Sequence, residues 1–117
     1  MPNPVVHWEL NTKDAKKTQE FMAGLFGWHV DANNPMNYGL MDTHTENGIN
    51  GGIQDSDQAP NGTTVYIEVD DLQAYLDKAE SLGGKTVMPI VVIPDMVTMA
   101  LFSDPQGNVF GLVKSEV

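Results

Sequence analysis

The chain has 117 residues, no cysteine and a formal charge of −10, from 6 basic and 16 acidic residues. This length predicts one domain with a real core, and the lack of cysteine excludes disulfides and thiol chemistry. The acidic balance disfavours nucleic acid and anionic lipid, while it either attracts cationic small molecules or serves solubility alone.

The N-terminal stretch MPNPVVHWEL has neither a basic region nor a long apolar run, so we expect no secretory signal. Nothing in the chain approaches the ~20 apolar residues of a membrane span. We therefore predict a cytoplasmic protein without nucleic-acid or membrane partners.

The first predicted unit opens with a strand over residues 4–11 and a helix from Asp14 to a stop at Gly27. The apolar spacing places one set of side chains on the inner face of this helix: Thr18, Phe21, Met22, Leu25 and Phe26. Three short strands are predicted to follow, over residues 28–32, 38–42 and 48–54.

The second unit repeats this order 57 positions later, so that Asp71 corresponds to Asp14 and Gly84 to Gly27. Its predicted strand covers 63–69, and its helix has an inner face of Leu72, Tyr75, Leu76, Ala79 and Leu82. Strands over 86–93, 97–103 and 109–114 complete it, with a turn at 104–108. We predict one domain over 1–117, with module one at about 1–55, a linker at about 56–62 and module two at about 63–117.

Three segments carry a resemblance to a known family: VVHWELNTKDAKKTQEFMAGLFGW, TVYIEVDDLQAYLDKAESLGGKTV and LFSDPQGNVFGLV. Together they resemble the vicinal oxygen chelate superfamily, which is also called the glyoxalase/bleomycin resistance protein/dioxygenase family. The resemblance implies an α+β fold in which two βαβββ modules form a curved mixed sheet, shaped as a cup. It also implies a homodimer, because members of this length commonly pair.

Metal-dependent members of the family take one ligand from the first strand and one from the last strand of each module. His7 occupies the first such position here, and Thr64 stands where the second module usually has His. Gly111 replaces the Glu of the last strand, and its counterpart at the same offset is Gln54. Because hard divalent ions prefer anionic oxygen ligands, we expect no metal and no other cofactor.

The predicted site uses alternate residues of the two first strands, because these share one face of a sheet. His7 and Glu9 are the candidate catalytic residues, as an acid–base pair or as an anchor for a cation. The candidate ligand-binding residues are His7, Glu9, Thr64, Tyr66, Trp8 and Trp28. The competing interpretations are an interior imidazole for His7, a solvated carboxylate for Glu9 and core packing for both tryptophans. His29 and His44 are expected at the surface.

From these residues we expect a metal-free protein that binds or sequesters a small apolar or cationic molecule. One alternative is a lyase or dioxygenase of the glyoxalase type with a divergent metal site. Another is a regulatory partner module without enzymatic activity. The sequence leaves open whether a reaction is catalysed.

Overall fold

The computed structural model describes residues 3–33, 38–43, 46–56 and 62–114 of the chain. Within these residues, eight strands and two helices follow one another in the order β1 (Val5–Thr12), α1 (Ala15–Phe26), β2 (His29–Asp31), β3 (Gly39–Asp42), β4 (Gly51–Asp55), β5 (Gly62–Val69), α2 (Leu72–Ser81), β6 (Lys85–Ile93), β7 (Val97–Ser103) and β8 (Val109–Lys114). The predicted strand–helix–three-strand order is thereby confirmed for both halves.

The chain divides into two compact units, one made of His7–Thr64 and the other of the remaining residues. In the first unit the strand order is β2-β3-β4-β1, with β1 parallel to β4 and the other neighbours antiparallel. In the second unit it is β6-β7-β8-β5, with β5 parallel to β8. Each unit therefore combines one mixed sheet with one helix, which confirms the α+β class and the two βαβββ modules.

Both helices begin at an aspartate, as predicted. Asp14 Oδ1 accepts a hydrogen bond from Lys17 N at 3.1 Å, and Asp71 Oδ1 accepts one from Ala74 N at 3.1 Å. These N-caps occupy donors that no carbonyl inside the helix can reach. The offset of 57 residues between the two helix starts is thus a structural equivalence.

Gly27 ends α1 as predicted, but its left-handed counterpart after α2 lies one residue before the predicted Gly84. Gly27 takes a left-handed φ of 73° and donates to Ala23 O, whereas the left-handed glycine after α2 is Gly83, at φ 99°. Gly84 instead serves close packing, because a Cβ there would collide with the Ser103 carbonyl at the end of β7.

The core of the first unit lies between α1 and its sheet and centres on Ala15, Met41 and Ile53. The predicted inner face of α1 is wrong in part, because Phe21 is 65% exposed and Leu25 is 59% exposed. Ala15 and the buried Gln19 face the sheet together with Met22, so Met22 is the member of the predicted set that packs on this core.

The core of the second unit is more apolar under its helix. Leu72 and Leu76 of α2 pack with Val69, Ala100 and Leu112 of the sheet, and all five side chains are buried. The predicted inner face of α2 is therefore confirmed apart from Leu82, which follows the last residue of the helix and is 71% exposed.

The last two strands have the predicted bounds, and the turn between them is fixed by Asp104. Its Oδ1 accepts from Gln106 N and Asn108 N, and its Oδ2 accepts from Asn108 Nδ2, all at 2.9 Å. Within this turn, Gly107 takes a left-handed φ of 91°. β6 pairs with β7 through register shifts on both sides of Met88, and Pro89 lies in the second of them.

Candidate functional site

The residues of β1 alternate between two faces of the sheet in the first unit. Trp8 and Leu10 pack on the core under α1, so His7 and Glu9 lie on the opposite face. We call this opposite face the helix-free face. The prediction that His7 and Glu9 share one face follows from the strand geometry, and both side chains are half-buried.

His7 forms a pair with Tyr38, which is not among the predicted site residues. His7 Nε2 and Tyr38 Oη are 2.9 Å apart, and the ring centroids are 6.2 Å apart. Tyr38 precedes β3 and is 9% exposed. Its ring lies over Gly52 of β4, where any Cβ would collide with the Tyr38 ring and hydroxyl. The missing side chain at Gly52 therefore makes room for the tyrosine that contacts His7.

The charge state of His7 follows from its surroundings. Burial lowers the pKa of His7 below its ordinary value, and the negative charge of Glu9 opposes this shift only in part. The imidazole is therefore neutral at neutral pH and keeps both a donor and an acceptor nitrogen. Such a group can accept a proton or orient a ligand through a hydrogen bond.

The structure does not bring the tryptophans together with His7. Trp8 and Trp28 pack on the core beneath α1, with ring centroids 5.9 Å apart, and Trp8 Nε1 donates to Ile49 O at 2.8 Å. Phe26 stacks on Trp28 at 5.2 Å. Their geometry matches the core-packing interpretation, on the face of the sheet that lies away from His7 and Glu9.

The two candidates on β5 differ in exposure. Thr64 is half-buried and is the last residue of the first unit. Tyr66, in the second unit, is 3% exposed, and its ring lies over Gly111, its partner on the parallel strand β8. A Cβ at Gly111 would collide with that ring. Each unit therefore has a tyrosine ring over a glycine of its last strand.

The strand registers correct the counterpart of Gly111. Tyr66 pairs with Gly111, and its counterpart Glu9 pairs with Gly52, so Gly52 and not Gln54 matches Gly111. The offset of 57 residues holds through the helix starts and becomes 59 in the last strands, because the intervening loops differ in length. Gln54 pairs with Asn11 instead, and its Nε2 donates to Asn11 Oδ1 at 2.9 Å.

These residues do not fit the metal site that the family resemblance implies. The last-strand positions are Gly52 and Gly111, which offer no side-chain ligand, and both are covered by tyrosine rings. Of the first-strand positions, His7 is a good ligand and Thr64 a poor one. Within the described ranges, no three His, Asp or Glu side chains are grouped so that they could hold a metal ion. His29 is exposed, as predicted, and His44 lies outside the described residues.

One signal in the sequence points to the tyrosine that was missed. Gly51 and Gly52 are consecutive glycines inside a strand, a pattern that often marks the close approach of another group. Both have this role, because the Trp8 ring fills the space beside Gly51 as Tyr38 does beside Gly52. Which rings approach them depends on the register of β1, β3 and β4.

Comparison with known proteins identifies the family to which the chain belongs. The model of the Glyoxalase/Bleomycin resistance protein/Dioxygenase superfamily matches residues 5–112. The chain belongs to this superfamily. The expected family is therefore confirmed, over nearly the whole chain.

Individual members of the superfamily differ widely from this chain. "Putative glyoxylase CFP32" of Mycobacterium tuberculosis is 34% identical over 111 residues, which cover 89% of this chain and 42% of that protein. "Anthracycline biosynthesis protein DnrV" of Streptomyces peucetius is 25% identical, over 99% of this chain and 48% of that protein. The chain thus spans less than half the length of both relatives.

A solved structure shares the fold. Methylmalonyl-CoA epimerase from Mycobacterium tuberculosis superimposes with a TM-score of 0.70 at 15% identity, covering 97% of this chain and 88% of that one. At this identity the match extends to the fold alone. Neither helix in the described part of the chain has the length and apolar character needed to cross a membrane.

Proposed function

We propose that the protein binds and sequesters a small, largely apolar or cationic molecule on the helix-free face of the first unit, without a metal ion. The observation that carries this proposal is the pair of glycines, Gly52 and Gly111, at the positions where metal-dependent members supply a ligand. Each is filled by a tyrosine ring instead of a carboxylate, so affinity has to come from other contacts.

The contacts available in the first unit are few and specific. The half-buried His7 imidazole lies there, paired through Nε2 with the buried Tyr38, and Glu9 adds a carboxylate two residues along the same strand. Such a combination suits a planar molecule with a positive charge, because the carboxylate attracts cations and the flat imidazole offers a surface for stacking. The formal charge of −10 favours the same class of ligand.

An enzyme remains the second candidate, and one observation favours it. The lowered pKa of His7 and its hydrogen bond to Tyr38 are typical of a general base with an orienting partner. In that case the protein is a lyase or dioxygenase-like member whose chemistry uses His7, with Glu9 beside it. A regulatory partner module without enzymatic activity is the further alternative.

Binding is best tested by isothermal titration calorimetry with a panel of planar cationic and neutral aromatic molecules. Tryptophan fluorescence is a poor readout, because Trp8 and Trp28 lie on the other face of the sheet. We expect Glu9→Gln to weaken the cations about 3- to 10-fold and to leave neutral ligands unchanged, since only the cations lose a charge-assisted hydrogen bond. Glu20→Gln, an exposed position on α1, is the control with the same change of charge.

Equal weakening by both variants would mean that net charge and not Glu9 selects the ligand. Turnover of a hemithioacetal or a catechol that His7→Ala abolishes would contradict sequestration and show that the protein is an enzyme. Melting curves with Ni²⁺, Zn²⁺ and Mn²⁺ test the metal-free part. A metal that binds the native state at 100 times its Kd stabilises it by about 2.7 kcal/mol, and we expect no such shift.

The homodimer and the cytoplasmic location also remain proposals. Both rest on the family resemblance and on the composition. Light scattering coupled to size-exclusion chromatography measures the first directly, and a monomer at micromolar concentration would contradict it.

A further inference from the structure

A cavity of about 340 Å³ lies in the second unit, on the face of its sheet that carries α2. Its walls come from the helix, from the end of β7 and from the turn that follows. The apolar walls are Tyr75, Ala79, Leu82, Phe102, Pro105 and Leu112. The helix-free face of the first unit contributes nothing to it, so the cavity is separate from the site proposed above.

The two helices differ at the positions that border this cavity. α2 has 10 residues where α1 has 12, and the chain leaves it through Gly83 and Gly84. Because Gly84 passes against the Ser103 carbonyl, the chain after α2 is held close to β7. Ala79 stands where α1 has Met22, so a small side chain replaces a large one on the wall of the cavity.

Hydrogen bonds hold two sides of the cavity in place. On one side, the turn after β7 is fixed by the three hydrogen bonds that Asp104 accepts. On the other side, Tyr75 is half-buried and its hydroxyl accepts a hydrogen bond from Asn3 Nδ2 at 3.0 Å. A preformed apolar cavity with few polar groups is the usual form of a small-molecule site, and little ordering cost opposes binding there.

The charges on the border select the class of ligand. Lys78, in the last turn of α2, borders the cavity, and no described carboxylate forms an ion pair with it. Asp104 also borders the cavity, but its oxygens are occupied by the donors of its own turn. Asp104 keeps its negative charge, but Lys78 is the bordering charged group with hydrogen-bond donors to offer a ligand, and the apolar walls suit a hydrocarbon or aromatic body.

We propose that the cavity beneath the C-terminal half of α2 is a second binding site, for a compact apolar molecule that carries one carboxylate held by Lys78. The carboxylate stays at the solvent border, while the apolar body displaces water from Phe102 and Leu82. This ligand class is opposite in charge to the one proposed for the first unit. The two sites can therefore be told apart by ligand charge as well as by position.

The test is a titration of ¹⁵N-labelled protein with 3-phenylpropionate, followed by ¹H–¹⁵N correlation spectra. A molecule of this size with ordinary ligand efficiency binds with a Kd of about 0.1–1 mM. We expect saturable shifts in the amides of Gly83, Gly84, Ser103 and Asp104. The neutral 3-phenylpropanamide should bind more weakly, and the cationic phenethylamine should leave these amides unmoved.

Two variants and a control separate the charge from the cavity. Lys78→Gln should weaken 3-phenylpropionate about 3- to 10-fold and leave the amide analogue unchanged. Lys17→Gln, an exposed lysine on α1, makes the same charge change away from the cavity and should have no effect. Ala79→Leu should abolish binding of both by filling the space, with a melting curve to confirm that the variant is folded.

Three results would overturn the proposal. The first is the absence of saturable shifts in those amides at about 10 mM probe, well above the expected Kd. The second is equal weakening by Lys78→Gln and Lys17→Gln. The third is phenethylamine binding in the cavity more tightly than the carboxylate. Because Glu9→Gln should not alter any of these titrations, the outcome is independent of the site on the first unit.

Discussion

The two helices have the same kind of N-cap, but different side chains hold them against their sheets. Ala15 and Gln19 of α1 correspond to Leu72 and Leu76 of α2, and all four side chains are buried. Gln19 Nε2 donates to Ile53 O at 2.8 Å, and a Cβ at Gly39 would collide with its side chain. In the first module a buried amide hydrogen-bonds the helix to its sheet, and in the second module two leucines pack the helix on its sheet. The same order of strands and helix is therefore compatible with either kind of contact.

The largest loss of stability is expected when a leucine of the second core is truncated. Leu76 is 1% exposed in the centre of the second core, so Leu76→Ala removes apolar contacts and leaves a cavity. We expect a loss of about 3 kcal/mol in the free energy of unfolding, measured by urea denaturation. Gln19→Ala should cost less, about 1–2 kcal/mol, chiefly because the Ile53 carbonyl loses its donor. A larger loss for Gln19→Ala would reverse the ranking of the two cores.

The sequence predicted much of this architecture because its signals are local. The N-cap aspartates and the glycine after α1 act within one helical turn, and the apolar face of α2 repeats with the helical period. The face of α1 was mispredicted because its inward position is the polar Gln19, whose partner Ile53 O lies on a strand far along the chain. A polar residue that is buried through a hydrogen bond is indistinguishable from an exposed one in a hydropathy pattern.

The site was less predictable, since it depends on register between strands. The alternation of β1 placed His7 and Glu9 on one face, and the same alternation places Trp8 on the other. The contact with Tyr38 depends on loops of unequal length, which also move the counterpart of Gly111 from Gln54 to Gly52. A fixed offset fails to match residues wherever one copy contains an insertion that the other lacks.

Substitutions at the two tyrosine-covered glycines should change the free energy of unfolding by an intermediate amount. Gly111→Ala places a Cβ in the Tyr66 ring, and Tyr66 is 3% exposed, so the ring has little room to move. Gly52→Ala meets the Tyr38 ring at its hydroxyl end. We expect losses of about 2 kcal/mol for Gly111→Ala and about 1 kcal/mol for Gly52→Ala, measured by urea denaturation.

A matched glycine checks that these losses come from crowding. Gly24, inside α1, has open space around its Cβ position, so Gly24→Ala should stabilise the protein by up to about 1 kcal/mol through helix propensity. If Gly52→Ala and Gly111→Ala were as stable as the parent, the rings would not be fixed over the glycines. The argument against a metal ligand at these positions would then lose its structural basis.

The smallest expected effect is a change of stability with pH, which arises from the first strand of module one and not from that of module two. His7 titrates, whereas its counterpart Thr64 does not. Burial lowers the pKa of His7 in the folded protein, so the unfolded chain takes up the proton first as the pH falls. The contribution of His7 to stability is therefore complete above its unfolded pKa of about 6.5 and is lost as the pH falls through the window below that value.

This loss should disappear in His7→Gln, which keeps a polar side chain without a charge change. Urea unfolding midpoints at a series of pH values from about 7.5 to 5 give the comparison, and we expect the parent curve to fall more steeply by less than about 1 kcal/mol in total. Parallel curves for the parent and His7→Gln would mean that His7 is solvated in the folded state, and the paired His7–Tyr38 site would have to be abandoned.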